Sequence, residues 1–138
     1  MSHPLTFQER REYSSVSPHP HISIPVSLSV GSERVDLLAK IDTGAPYCVF
    51  ERLYGERLGL DLERGIRLGF TTTTGGAFTA YGHTVSLETF GFTHECVVYF
   101  QEDETVPRNL LGMLGWIDRF RLGLIDHDSL LFLSRYDD

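Results

Sequence analysis

The chain has 138 residues, 41% hydrophobic and 22% charged, the profile of one ordinary globular domain. A chain of that length buries roughly two-thirds of its unfolded surface. Its net charge is −7, and its 12 basic residues are scattered rather than clustered, which excludes the basic footprint needed to bind nucleic acid. No apolar run approaches the roughly 20 residues of a membrane helix. Residues 1–13 carry Arg10, Arg11 and Glu12 without an apolar core, so no signal peptide and no membrane partner is expected.

In chain order the signals are those of an all-β domain. Residues 1–17 are polar, rich in Glu, Arg and Ser, and read as a loosely ordered N-terminal arm; residues 18–138 read as a single domain. Between Pro18 and Val30, the apolar Ile22, Ile24, Val26, Leu28 and Val30 alternate with His21, Ser23 and Ser27, which predicts a strand. Gly31-Ser32 supplies a two-residue hairpin turn. Val35 to Ile41 returns as a second strand, and its near-continuous apolarity predicts burial on both faces. Tyr47 to Phe50 reads as a short strand. Glu51 to Leu58 places Leu53, Tyr54, Arg57 and Leu58 at helical spacing, with Gly59 as terminator.

Ile66 to Phe70 and Ala77 to Leu87 predict a long hairpin whose tip is Thr71-Thr72-Thr73-Thr74-Gly75-Gly76. Threonines favour extended backbone, and the paired glycines allow the positive φ of a tight turn. Gly91 marks another turn, followed by a strand over His94 to Phe100. The acidic stretch Gln101 to Arg108 contains Pro107 and reads as a loop. Leu110-Leu111-Gly112 then opens an apolar helical face of Met113, Leu114, Trp116, Ile117 and Phe120, with Trp116 in the core. Arg121 to Ile125 and Ser129 to Leu133 form a last hairpin around Asp126-His127-Asp128.

Asp42-Thr43-Gly44-Ala45 directly follows the strand Val35 to Ile41 and occurs once. A strand that delivers a carboxylate onto a tight Thr-Gly turn suits acid-base work on a water molecule. Taken alone it also suits an ordinary strand exit, where Asp and Gly are common. Its order relative to Gly75-Gly76 and Leu110-Leu111-Gly112 is much more specific. Together with Trp116-Ile117-Asp118-Arg119-Phe120-Arg121-Leu122 leading to Ile125-Asp126, these elements resemble the retropepsin family of aspartic proteases over residues 20–134.

The resemblance implies a closed retropepsin-like β-barrel with a flap hairpin and one or two short helices. It implies an aspartic endopeptidase in which Asp42 is the catalytic carboxylate. Thr43 would pin two loops together across a two-fold axis, and Gly44 would bring its N–H toward the carboxylate. Ala45 and the flap residues Thr73, Thr74, Gly75, Gly76 and Ala77 would bind substrate, and Leu110, Leu111 and Gly112 would pack beneath the catalytic loop. Because the motif occurs once per chain, the implied enzyme is a homodimer acting on peptide or protein substrates, without metal or organic cofactor.

Retroviral members follow Asp-Thr-Gly-Ala with an acidic pair and place an arginine after the glycine of the second motif. Here Pro46-Tyr47 and Met113 stand in those places, and the flap tip is Thr-Gly-Gly, which points to a cellular member. The six histidines show no compact ligand spacing: His19 and His21 alternate on one strand, His94 lies two before Cys96, and His83 stands alone. Cys48 and Cys96 read as thiols of a cytosolic core, with a disulfide as the alternative, and the expected compartment is cytoplasmic. The rival functional reading is a dimeric module of the same fold that captures a peptide or partner without cutting it.

Overall fold

The computed structural model describes residues 1–14 and 20–138. Pro18 and His19, with arm residues 15–17, lie outside the described residues. Among the described residues, ten strands and one short α-helix make up the fold, the all-β class read from the sequence. They are β1 (Glu9–Glu12), β2 (Ser23–Val30), β3 (Glu33–Ile41), β4 (Val49–Phe50), β5 (Ile66–Thr71), β6 (Ala77–Thr89), β7 (Phe92–Gln101), β8 (Leu110–Leu111), β9 (Phe120–Ile125) and β10 (Leu130–Arg135). The helix α1 spans Arg52–Arg57 and ends at Gly59, whose φ of +78° suits the left-handed position past a helix C-terminus. Among the described residues, no helix is long and apolar enough to cross a membrane.

Seven strands form one sheet in the order β2-β3-β8-β4-β7-β6-β5, and a further pairing of β2 with β6 closes six of them into a ring. Closure leaves one face of each ring strand inside and the other outside. β2 shows this alternation, with Ile24, Val26 and Leu28 buried and Pro25 exposed. The turns that make the ring are short. Gly31 at φ +58° turns β2 into β3, and Phe90 and Gly91, at +47° and +86°, turn β6 into β7.

The same closure corrects the reading of β3. Val35, Leu37 and Ala39 are buried, but Leu38 is 65% exposed, so the strand buries one face only. A helix layer on the outer face would have justified the apolar run; a single closed sheet provides none. The apolar face over Met113 to Phe120 is likewise not an α-helix. The Met113 and Leu114 N–H groups donate to the Ala45 and Pro46 carbonyls at 2.8 and 2.9 Å, and Gly115 turns the chain at φ +108°. Only a 3₁₀ turn over Ile117–Arg119 remains. Trp116 is nevertheless fully buried, its indole N–H donating to Thr89 Oγ1 at 2.9 Å and its ring 5.1 Å from that of Phe120.

A second, three-stranded sheet has the order β1-β10-β9. Its outer strand β1 lies inside the arm that composition reads as loose. Glu9–Glu12 pairs with β10 in register Glu9↔Leu133 to Glu12↔Leu130. Tyr13 completes the attachment, its N–H donating to the Ser129 carbonyl at 3.0 Å and its hydroxyl to Asp126 Oδ1 at 2.5 Å. The four polar side chains of β1 leave no apolar alternation to detect, because backbone pairing to an edge rather than burial holds the strand.

Candidate active site

β3 ends at Ile41 and hands Asp42 to a loop that runs to Cys48. β8 lies between β3 and β4 in the sheet, so this loop crosses the end of β8. The crossing is held by backbone hydrogen bonds: Asp42 N–H to the Leu111 carbonyl at 3.0 Å, and Ala45 N–H to the Asp42 carbonyl at 3.1 Å. The Gly44 N–H donates to Asp42 Oδ1 at 2.9 Å, which orients the carboxylate. Asp42 is half-buried, while Thr43 and Gly44 are exposed.

Gly112 sits directly beneath. A Cβ there would lie 2.2 Å from the Tyr47 carbonyl oxygen and 2.7 Å from that of Ala45. No side chain fits at this contact between the two loops. The Gly112 N–H donates to Cys48 Sγ at 3.4 Å. Burial pushes the Cys48 thiol up to about 12, against the partial compensation of that N–H, and burial pushes Cys96 up to about 11. Both cysteines are buried free thiols. They stay protonated near neutral pH and are packing groups rather than nucleophiles.

The β5–β6 hairpin extends over this loop. Its tip closes with the Thr72 N–H on the Gly76 carbonyl and the Gly75 N–H on the Thr72 carbonyl, both 2.9 Å, and with Thr72 and Thr74 hydroxyls 2.9 Å apart. Gly75 takes φ +86°, the conformation its missing Cβ allows. Behind the tip, Phe70 and Phe78 stack at 5.7 Å and the Arg108 guanidinium lies 5.2 Å over Phe78.

A cavity of about 350 Å³ separates hairpin from loop. Asp42, Gly44 and Ala45 line it from below, Phe70 and Thr71 to Thr73 from the hairpin, and Lys40, Tyr47, Leu110 and Arg108 from the sides. Of the catalytic and substrate-binding residues singled out in the sequence, Asp42, Gly44, Ala45 and Thr73 meet here, and Leu110, expected beneath the loop, joins them. Thr43, Thr74, Gly75, Gly76 and Ala77 do not line the cavity, and the last four form the tip and the return of the hairpin. Lys40, Phe70 and Arg108 carry no motif. Lys40 was nonetheless within reach of the sequence, since it stands in β3 two residues before Asp42.

A larger groove of about 610 Å³ lies elsewhere, between Arg11, Leu38 and Phe90. Its two carboxylates, Asp36 and Glu88, are both paired with Arg34, at 3.1 and 3.3 Å. It offers no carboxylate positioned for proton transfer, so the smaller cavity is the functional candidate. Among the described residues no group of three or more His, Cys, Asp or Glu side chains is placed to hold a metal ion.

Comparison with known proteins gives this geometry its context. The fold is similar to that of a retropepsin-like aspartic protease from Rickettsia conorii, with a TM-score of 0.64 and 18% identity over 96% of each chain. It is also similar to EIAV protease in complex with the inhibitor HBY-793, with a TM-score of 0.52 and 18% identity over 72% of this chain and 88% of the other. A search of curated proteins finds no match. The fold is therefore retropepsin-like, as the sequence motifs imply. The family model described as aspartyl protease matches residues 25–114, a span that runs from β2 to the turn after Gly112 and takes in the Asp42 loop and the hairpin above it. The chain belongs to the aspartyl protease family.

Proposed function

We propose that the protein is an aspartic endopeptidase whose active site is built from two copies of the chain, each supplying one Asp42. The observation that carries this reading is the Asp42 carboxylate, oriented by the Gly44 N–H at the floor of a cavity roofed by a hairpin. Two carboxylates about 3 Å apart cannot both ionise cheaply, so they share one proton, an established property of aspartic protease dyads. The ionised member takes a proton from a water molecule, whose oxygen attacks the peptide carbonyl carbon. The protonated member gives its proton to the carbonyl oxygen. Collapse of the resulting gem-diol breaks the C–N bond as the protonated member gives its proton to the leaving nitrogen and the other takes one from a gem-diol hydroxyl, which restores the shared proton.

In this reading a two-fold axis passes beside Asp42, and Thr43, exposed in one chain, bonds its counterpart across it. Met113 and Leu114, which follow Gly112 beside the catalytic loop, are 46% and 55% exposed, and a second chain would cover them. The hairpin residues Thr73 to Ala77 act as the flap, closing over an extended peptide and excluding bulk water. Residues 18–138 act as the catalytic unit and residues 1–17 as its attached arm.

Incubation with a broad peptide library at about pH 4–6, where an Asp pair can hold one proton, tests the reading. Internal peptide bonds are expected to be cut at concentrations where the protein is dimeric. A demonstrated dimer that cuts nothing across that range would leave the non-catalytic binding module as the correct account.

A further inference from the structure

We propose that Lys40 and Arg108 form a cationic subsite beside Asp42 that selects a substrate residue with a carboxylate side chain close to the cleaved bond. The inference rests on the peptidase reading and names the substrate class of that same cavity.

The fold brings the two cations together. Lys40 is the penultimate residue of β3 and precedes Asp42, the first residue of the loop, by two positions, and both line the one cavity. β8 pairs with β3 in parallel, Lys40 opposite Leu110, and the Lys40 N–H donates to the Asn109 carbonyl at 2.9 Å. That pairing sets Arg108 alongside. Both side chains line the Asp42 cavity and also a neighbouring cleft of about 370 Å³ that includes Ser23 and Asn109. The two hollows meet at Lys40, Arg108 and Leu110, and among the described residues Asp42 is the one carboxylate in either lining.

Among the described residues neither Lys40 nor Arg108 forms an ion pair, so both charges are open to a ligand. Three acids of the flanking segments are engaged elsewhere. Glu51 accepts from Asn109 Nδ2 at 2.6 Å, Glu102 from the Tyr81 hydroxyl at 2.7 Å, and Asp103 from the Thr105 hydroxyl at 2.7 Å. The Arg108 guanidinium is pre-oriented over the Phe78 ring, which leaves its N–H fork for a planar acceptor. A carboxylate fits the fork and the Lys40 ammonium together, and partial enclosure strengthens the interaction. Apolar walls from Leu68, Phe70 and Leu110 suit the methylenes that carry such a group.

The test uses matched quenched-fluorescent peptides bearing Glu, Gln or Lys at each position flanking the cleaved bond. Their ends are acetylated and amidated, so the side chain is the sole carboxylate. Assays run at about pH 6, where Glu is ionised. The wild type is expected to favour Glu over Gln in kcat/KM by about tenfold at one position or more. Lys40→Met with Arg108→Met should bring that ratio to about one, and Lys40→Glu with Arg108→Glu should favour Lys instead. Asp42-dependent cleavage with equal rates for Glu and Gln peptides at every position overturns the subsite while the peptidase reading stands. This outcome needs only the wild type, so it does not depend on the variants folding. If the wild type cuts no peptide, equal binding of the Glu and Gln peptides by fluorescence anisotropy overturns the subsite, together with the peptidase reading.

Discussion

Replacing Asp42 by Asn is expected to lower kcat/KM for peptide cleavage by about a thousandfold or more while leaving the melting temperature and the association state nearly unchanged. Asn keeps the shape of the side chain, and its amide oxygen still accepts the Gly44 N–H that meets Asp42 Oδ1 at 2.9 Å. The loop is also held by the backbone bonds of Asp42 and Ala45, which the substitution does not touch. What disappears is a group that can take a proton from water. Among the described residues no second carboxylate lines the cavity to replace it. Steady-state rates on any cleaved peptide, measured beside thermal unfolding, separate the two effects. An Asn variant within about tenfold of the wild type would remove Asp42 from the chemistry.

The largest effect on stability is expected from Gly112→Ala. The added methyl would stand 2.2 Å from the Tyr47 carbonyl oxygen, 2.6 Å from its carbon and 2.7 Å from the Ala45 carbonyl oxygen. These are backbone atoms of the catalytic loop and cannot swing aside as a side chain would. Relief requires the loop to lift from β8, which would break the Met113 and Leu114 bonds to the Ala45 and Pro46 carbonyls. A cost of about 3 kcal/mol follows from overpacking at so rigid a contact, which lowers the melting temperature by about 10 °C and abolishes cleavage. Gly31→Ala is the comparator. A Cβ at Gly31 meets nothing within 4 Å, so only its left-handed backbone is strained, at about 1 kcal/mol. A Gly112→Ala protein as stable as the Gly31→Ala protein would show that the two loops are not packed as described.

Local chemistry made much of the fold legible. Gly31, Gly59 and Gly91 each stand where a positive φ ends one element and starts the next, so the turns follow from residue type. The alternation in β2 follows from period-two patterning, and the hairpin over Ile66 to Leu87 from its threonines and the paired glycines at its tip. What escaped is set by partners distant in sequence. Leu38 looks like core until the ring of strands closes and leaves its face outside. Met113 to Phe120 has helical spacing, but its backbone donors go to the loop at Ala45 and Pro46, a pairing no local signal announces. β1 carries no apolar pattern because it is held by an edge.

The site divides along the same line. Asp42 and Gly44 are a motif of adjacent residues and are readable as one. Arg108 reaches the cavity through the parallel pairing of β8 with β3, and Phe70 through the fold of the hairpin. Neither has a sequence signature, since a cavity wall is composed of whatever the topology brings there.

The claim that each chain holds half an active site is tested most directly by mixing. Wild-type and Asp42→Asn chains, co-refolded in equal amounts at fixed total concentration, form dimers at random, and only those with two aspartates are active. The peptidase activity of the mixture is expected to fall to about one quarter of that of the wild type, following the square of the wild-type fraction. A fall to about one half, linear in that fraction, would mean that each chain works alone and would contradict the account.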